Sequence, residues 1–344
     1  MLSPELLPLV IAHRGASGYR PEHSRAAYLL AISMGADAVE PDLVASRDGV
    51  LVVRHENEIS GTTDVSERPE FADRQCTRSV DGQTVTGWFT EDFTWAELST
   101  LRVRERLPQV RPGNTRWDGE EPILRFRDLL ALVDAAPRRV GVVAEIKHAT
   151  HFASLGLPLD ELFAAELAAA GWLADDRLMI ESFEQSVLHR IRARGVVAPL
   201  IYLFEDSGTA VDEHARHGDA APSYAQQLAE LVSFSDMIEG ISVPKGMLVH
   251  EASGQLHDTG LVQRAHDAGL RILCWTLRPE NRFLPAGLRT GKAGGTTGRW
   301  RDEWSAIMRT GVDGVFADHP DLAITVRREL PEAVSEADPT IGEP

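Results

Sequence analysis

Short runs rich in Val, Ile and Leu alternate along the chain with longer amphipathic stretches, the pattern of βα units that build a parallel sheet. Eight such runs can be read, at residues 9–12, 38–43, 140–146, 178–183, 200–203, 238–243, 271–276 and 314–317. Apolar residues at helical spacing predict helices between them, among others at 24–34, 125–135, 159–170, 184–194, 223–233 and 261–268. Eight strands with intervening helices predict an α/β fold, a closed (β/α)8 TIM barrel whose functional site lies at the C-terminal strand ends.

One run, 50–54, breaks the rhythm, because no crossover helix fits between it and strand two. The intervening Asp48-Gly49 predicts a two-residue type I′ hairpin. Arg47 would then pair with Val50, and counting back sets His55 opposite Asp42. Residues 56–122, rich in charge, Gly, Pro and Trp (Trp88, Trp95, Trp117), are too long for an ordinary loop and predict a small inserted subdomain. The Gly-rich stretch 278–301 predicts a mobile polar loop. The expected organisation is one barrel domain over residues 1–330 carrying the insertion 56–122, then an acidic, disordered tail at 331–344.

Composition narrows the function. The chain has 344 residues, 43% of them hydrophobic, enough for a full core. Its 35 Lys and Arg against 52 Asp and Glu leave a net charge of −17, which repels phosphate backbones and argues against nucleic-acid binding. Cys76 and Cys274 are expected to be free thiols. No basic-then-apolar leader and no long apolar span can be read, so a soluble, cytoplasmic protein is expected. Oligomeric state is not legible.

The chemistry concentrates at predicted strand ends. Glu40 and Asp42 flank Pro41 on strand two, so both carboxylates share a face. Strand three supplies Glu145 and Lys147 by the same spacing, and a mutual or cross-barrel ion pair is as open as function there. Converging at one mouth, Glu40, Asp42 and Glu145 would make an oxygen-rich site for Mg²⁺ or Ca²⁺. Zinc is disfavoured, because no Cys pair has metal spacing and His55-Glu56-Asn57-Glu58-Ile59 fails the H-E-x-x-H pattern. Strand one ends in His13-Arg14-Gly15, where Arg14 offers a fork for phosphate and His55 could face His13 across a reacting group. His148 with His151 and His214 with His217 are read as loop histidines without a third ligand. The stretch 286–293 lacks the residues of a nucleotide loop. Glu181 is ambiguous at its strand end, a supporting or ion-pair role being at least as open as that of a ligand.

These residues resemble a known family. His13-Arg14-Gly15, Pro21-Glu22-His23-Ser24, Glu40-Pro41-Asp42, Asp48-Gly49 with Val52-Val53-Arg54-His55, Glu145-Ile146-Lys147, Ser182-Phe183, Trp275-Thr276 and Asp318-His319-Pro320 follow the glycerophosphodiester phosphodiesterases in order. Thr63-Asp64-Val65 and Asp92-Phe93-Thr94 are similar to the longer bacterial periplasmic-type members. The resemblance implies a barrel of the phospholipase-C-like phosphodiesterase type and one divalent cation on Glu40, Asp42 and Glu145. It implies His13 and His55 as the acid–base pair, Arg14 and Lys147 on phosphate, and Trp275 lining the pocket. The chain departs from the family in Glu56, where Asp is usual, and in Pro41. The activity implied is hydrolysis of glycerophosphodiesters to glycerol 3-phosphate and an alcohol. The alternatives are phospholipase D-like cleavage of lysophospholipids, which the polar 278–301 loop disfavours, and a non-catalytic polyol-phosphate binding barrel, which the two histidines disfavour.

Overall fold

The computed structural model describes residues 7–234, 236–252 and 254–330. The tail expected to be disordered, 331–344, lies outside them. The predicted β-rich runs pair in parallel and close into a barrel. Leu9–His13 lies between Gly314–Ala317 and Ala38–Glu40, and the ring continues through Gly141–Ile146, Leu178–Ser182, Leu200–Leu203, Gly240–Pro244 and Arg271–Leu277. Ile11, Ala38, Val143, Ile201, Leu273 and Phe316 fill the barrel interior as a cluster of their own, separate from the larger core between strands and helices. Because strand side chains alternate, two residues further along each strand the same inward rows reach the C-terminal mouth as His13, Glu40, Glu145, Trp275 and Asp318.

Strand two is split at Pro41, which has no N–H to give a ladder, into Ala38–Glu40 and Asp42–Ala45. Its carbonyl still accepts the Glu145 N–H at 2.9 Å. The hairpin that follows corrects the predicted register. Leu43 pairs with Val53, Val44 with Val52 and Ala45 with Leu51, and the Ser46 N–H reaches the Val50 carbonyl, so the loop has three residues, Arg47 to Gly49. Arg54, not His55, stands opposite Asp42, its N–H donating to the Asp42 carbonyl at 3.0 Å. Two features select the longer loop. Gly49 takes φ +76°, the left-handed position that closes a three-residue hairpin. Ser46 Oγ accepts the Val50 N–H and donates to Asp48 Oδ1, which in turn accepts the Trp95 N–H from the insertion.

Residues 56–122 form short 3-10 turns, the hairpin Cys76–Val80 with Gln83–Gly87, and the helix Trp95–Leu98, capped reciprocally by Thr94 and Glu97. Their buried Phe71, Trp88, Phe93, Leu98, Leu101 and Val103 belong to the same core as the barrel's outer face. The histidine pairs read as loop residues lie instead on short helices: His151 on Ala149–Ser154, with His148 as its N-cap, and His214 and His217 on Val211–His217. The 278–301 stretch is polar, but the Asn281 side chain ties it internally to Thr290 and Ala293. No helix among the described residues is long and apolar enough to cross a membrane.

Candidate active site

The barrel mouth holds a cavity of about 270 Å³ whose lining includes His13, Arg14, Glu40, His55, Glu145, Lys147 and Trp275, together with Glu181, Phe183 and Arg278. Every residue singled out from the sequence for this site except Asp42 lines it. Asp42 lies just beneath, and one carboxylate oxygen from each of Glu40, Asp42 and Glu145 falls within 4.8 Å of the others. Both Cys76 and Cys274 are free thiols, as expected.

Three buried carboxylates this close cannot all be ionised without compensation. Burial, then Asp42, pushes the Glu40 carboxyl well above its usual range. Burial raises Glu145 to about 8 against the pull of Lys147. Asp42 goes the other way: burial would raise it, but Lys147 and Arg14 hold it well below. Lys147 Nζ lies 2.6 Å from Glu145 Oε1 and 3.2 Å from Asp42 Oδ1, and Arg14 Nε lies 3.2 Å from Asp42 Oδ2. Glu40 Oε2 accepts the Arg14 N–H at 2.8 Å. Its Oε1 is buried with no hydrogen-bond partner among the described residues. An orphaned carboxylate oxygen in an all-oxygen donor set fits a hard divalent cation. His23 supports the set: Asp42 can only accept, so His23 Nε2–H donates to it at 2.8 Å, while Nδ1 lies 2.8 Å from the Tyr28 hydroxyl.

The two imidazoles share one construction. His13 Nδ1 lies 2.7 Å from Asp318 Oδ1, and His55 Nδ1 lies 2.5 Å from Glu56 Oε1. Each ionised carboxylate accepts, so Nδ1 carries the proton and Nε2 is left to exchange one; neither Nε2 has a hydrogen-bond partner among the described residues. Burial and Arg14 lower His13 to about 4. His55, with 30% of its side chain open, is lowered by burial of the remainder, by Arg14 and by Lys147.

The insertion closes around both pairs. Arg111 NH2 binds Asp318 Oδ2 at 2.6 Å, and Arg278 Nε binds the same oxygen at 2.8 Å. Arg106 grips both oxygens of Glu56 and both of Glu22, and Glu22 accepts from Arg14 at 3.1 Å. Sequence reasoning gave no individual role to His23, Asp318, Arg106 or Arg111. Asp318 was within its reach, standing two residues beyond inward-facing Phe316, whereas the arginines carry no local signal. Glu181 adjoins Glu145 across the sheet, with Oε2 buried, and it has neither a hydrogen-bond partner on that oxygen nor an ion pair among the described residues. His148 and His151 pair with Asp81 and Glu91 outside the acid cluster.

The family model of the Glycerophosphoryl diester phosphodiesterase family matches residues 13–322. Glycerophosphodiester phosphodiesterase GDPD6 of Arabidopsis thaliana is 33% identical, covering 90% of this chain and 83% of that protein. Glycerophosphodiester phosphodiesterase of Haemophilus influenzae is 29% identical, covering 92% of this chain and 88% of that protein. Among solved structures, an Oleispira antarctica phosphodiesterase in complex with the product sn-glycerol-3-phosphate aligns with TM-score 0.57 and 20% identity, covering 93% of this chain and 96% of that one. That likeness shows the shared barrel, while the extent of the family match settles the lineage: the chain belongs to the glycerophosphoryl diester phosphodiesterase family.

Proposed function

We propose that this protein hydrolyses glycerophosphodiesters to glycerol 3-phosphate and an alcohol, using one divalent cation, Ca²⁺ or Mg²⁺, held by Glu40, Asp42 and Glu145. The observation that carries the reading is the meeting, in one cavity, of this acid triad with two imidazoles whose Nδ1 atoms are tied to carboxylates. The bound cation would neutralise charge on the phosphoryl oxygens.

Arg14 and Lys147 supply the remaining positive charge, Arg14 as a planar fork and Lys147 as a point charge. Trp275 packs edge-to-face on Phe183 at 5.9 Å and forms an apolar wall that limits water. One imidazole takes the proton of the attacking hydroxyl as its oxygen bonds to phosphorus: attack by water gives glycerol 3-phosphate directly, whereas attack by the glycerol 2-hydroxyl gives a cyclic phosphate that water opens in a second displacement. The ester P–O bond breaks, and the other imidazole gives a proton to the leaving alkoxide. A phosphate beside Arg14 would offset the cation that, after burial, lowers both histidines, and so raise their proton affinity when substrate binds.

The test is product analysis across glycerophosphodiesters with different alcohols, in the presence of each cation. Glycerol 3-phosphate should appear with wild-type protein and be lost with Glu40→Gln. Absence of that product from every diester would reject the reading.

A further inference from the structure

Arg106 and Arg111 stand five positions apart in the insertion yet serve opposite sides of the mouth, Arg106 the His55 side and Arg111 the His13 side. Their spacing is fixed locally. The N–H groups of Val110 and Arg111 both donate to the Leu107 carbonyl at 2.8 Å, turning the chain sharply between the two arginines. Glu105 braces that turn, one oxygen accepting the Leu107 N–H at 2.8 Å and the other the Asn114 side chain at 2.9 Å. Arg111 is anchored further by Glu280 at 2.6 Å and the Ser17 carbonyl at 3.2 Å.

We propose that Arg106 and Arg111 are positioning residues, and that the insertion is thereby part of the catalytic apparatus: each arginine locks the carboxylate that holds one imidazole by Nδ1. This rests on the reading of His13 and His55 as the proton-transfer pair. The chemistry follows from the hydrogen-bond inventory. Glu56 is gripped by both terminal nitrogens of Arg106, and Asp318 by single contacts from Arg111 and Arg278 on one oxygen; carboxylates held in this way stay ionised and resist rotation, so each accepts Nδ1–H in one geometry and keeps Nε2 aimed at the cavity. Released, it could swing to solvent, and the imidazole would revert to a mixture of tautomers and orientations.

The two clamps are unequal. Asp318 is held by Arg111 and Arg278 together, whereas among the described residues the side-chain donors on Glu56 are His55 and Arg106 alone. Losing Arg106 should therefore cost more than losing Arg111. Outer partners that fix ligand orientation at metal sites are worth about 10- to 100-fold in activity, and on that scale Arg106→Met should fall near the upper end and Arg111→Met near the lower. Because Arg106 also holds Glu22 and, through it, Arg14, Glu56→Gln isolates the His55 arm without touching that branch.

The deciding experiment is a pair of mutant cycles with an activity-free readout. Arg111→Met is measured alone and in His13→Ala, and Arg106→Met and Glu56→Gln alone and in His55→Ala, with kcat and KM for a glycerophosphodiester. The proposal expects each to lower kcat in the wild-type background, with KM within about threefold for Arg111→Met and Glu56→Gln, and to cost little more once its histidine is gone. In parallel, ¹⁵N spectra of the imidazoles should show the Nδ1–H tautomer for both histidines and a tautomer mixture in the arginine variants. An equal further loss of kcat in the His→Ala backgrounds, or unchanged tautomers in folded variants, would overturn it. Should wild-type protein not turn over the diester, the function reading fails, while the tautomer spectra still decide the clamp.

Discussion

Stripping the cation should invert the usual pH dependence of a carboxylate-rich protein. Glu145 titrates near 8 in the metal-free fold against an ordinary value of 4.5. The folded state therefore binds this proton more tightly than the unfolded chain. Its favourable contribution is complete below 4.5 and is lost as pH rises through 8. One proton held only by the folded state changes stability by about 1.4 kcal/mol per pH unit, a few kcal/mol across the interval. Glu40 and Glu181 are raised as well, so they steepen the fall. Asp42, held low by Lys147 and Arg14 against burial, contributes in the opposite sense and only at acid pH. The assay is denaturant unfolding from pH 5 to 9, in chelator and in saturating Ca²⁺ or Mg²⁺. Below about pH 6.5 the lowered His13, His23, His55 and His319, which take up protons only on unfolding, oppose this fall; above it metal-free protein should lose stability toward pH 8, and Glu145→Gln should flatten that slope by up to about 1.4 kcal/mol per pH unit. The cation should restore the loss, contributing about 2.7 kcal/mol at a hundredfold excess over Kd. A metal-free profile flat between about pH 6.5 and 8, or a slope there unchanged in Glu145→Gln, would refute the reasoning.

Further outcomes are expected. His13→Ala and His55→Ala should each lower kcat by about 10²- to 10⁴-fold while leaving cation affinity nearly intact, measured by turnover and calorimetry, and the double variant should be little worse than the poorer single. Replacing the leaving alcohol by a p-nitrophenolate, which departs without a proton, should rescue one of these variants and not the other, naming the acid. Lys147→Met should reduce kcat/KM for the diester; an unchanged value would leave Lys147 as an ion-pair partner of Asp42 and Glu145 alone.

The barrel was legible because its strands are buried on both faces and its helices on one, two periods that the chain writes plainly. The acid triad was legible for the same reason, since the two-residue spacing of Glu40 with Asp42 and of Glu145 with Lys147 follows the pleat. The hairpin register was not. Asp48-Gly49 fits a two-residue turn locally, and what selects three residues includes a contact from the Trp95 N–H, which is distant in sequence. His55 nonetheless reaches the mouth because regular alternation stops at Val53: Arg54 turns under the carbonyls of Thr62 and Glu22, and His55 follows it out of the ladder. The arginine clamps were beyond reach altogether, with Arg106 fifty residues from Glu56 and Arg111 two hundred and seven from Asp318. Only the fold makes them neighbours.

The measurement that bears most directly on the central claim is a metal titration of turnover. Exhaustively chelated protein, confirmed metal-free by elemental analysis, is supplied with a glycerophosphodiester and increasing Ca²⁺ or Mg²⁺, and glycerol 3-phosphate is followed. The buried triad with its orphaned Glu40 oxygen predicts no turnover without metal and a rate that saturates at one bound ion per chain. Full turnover by the metal-free protein would contradict it.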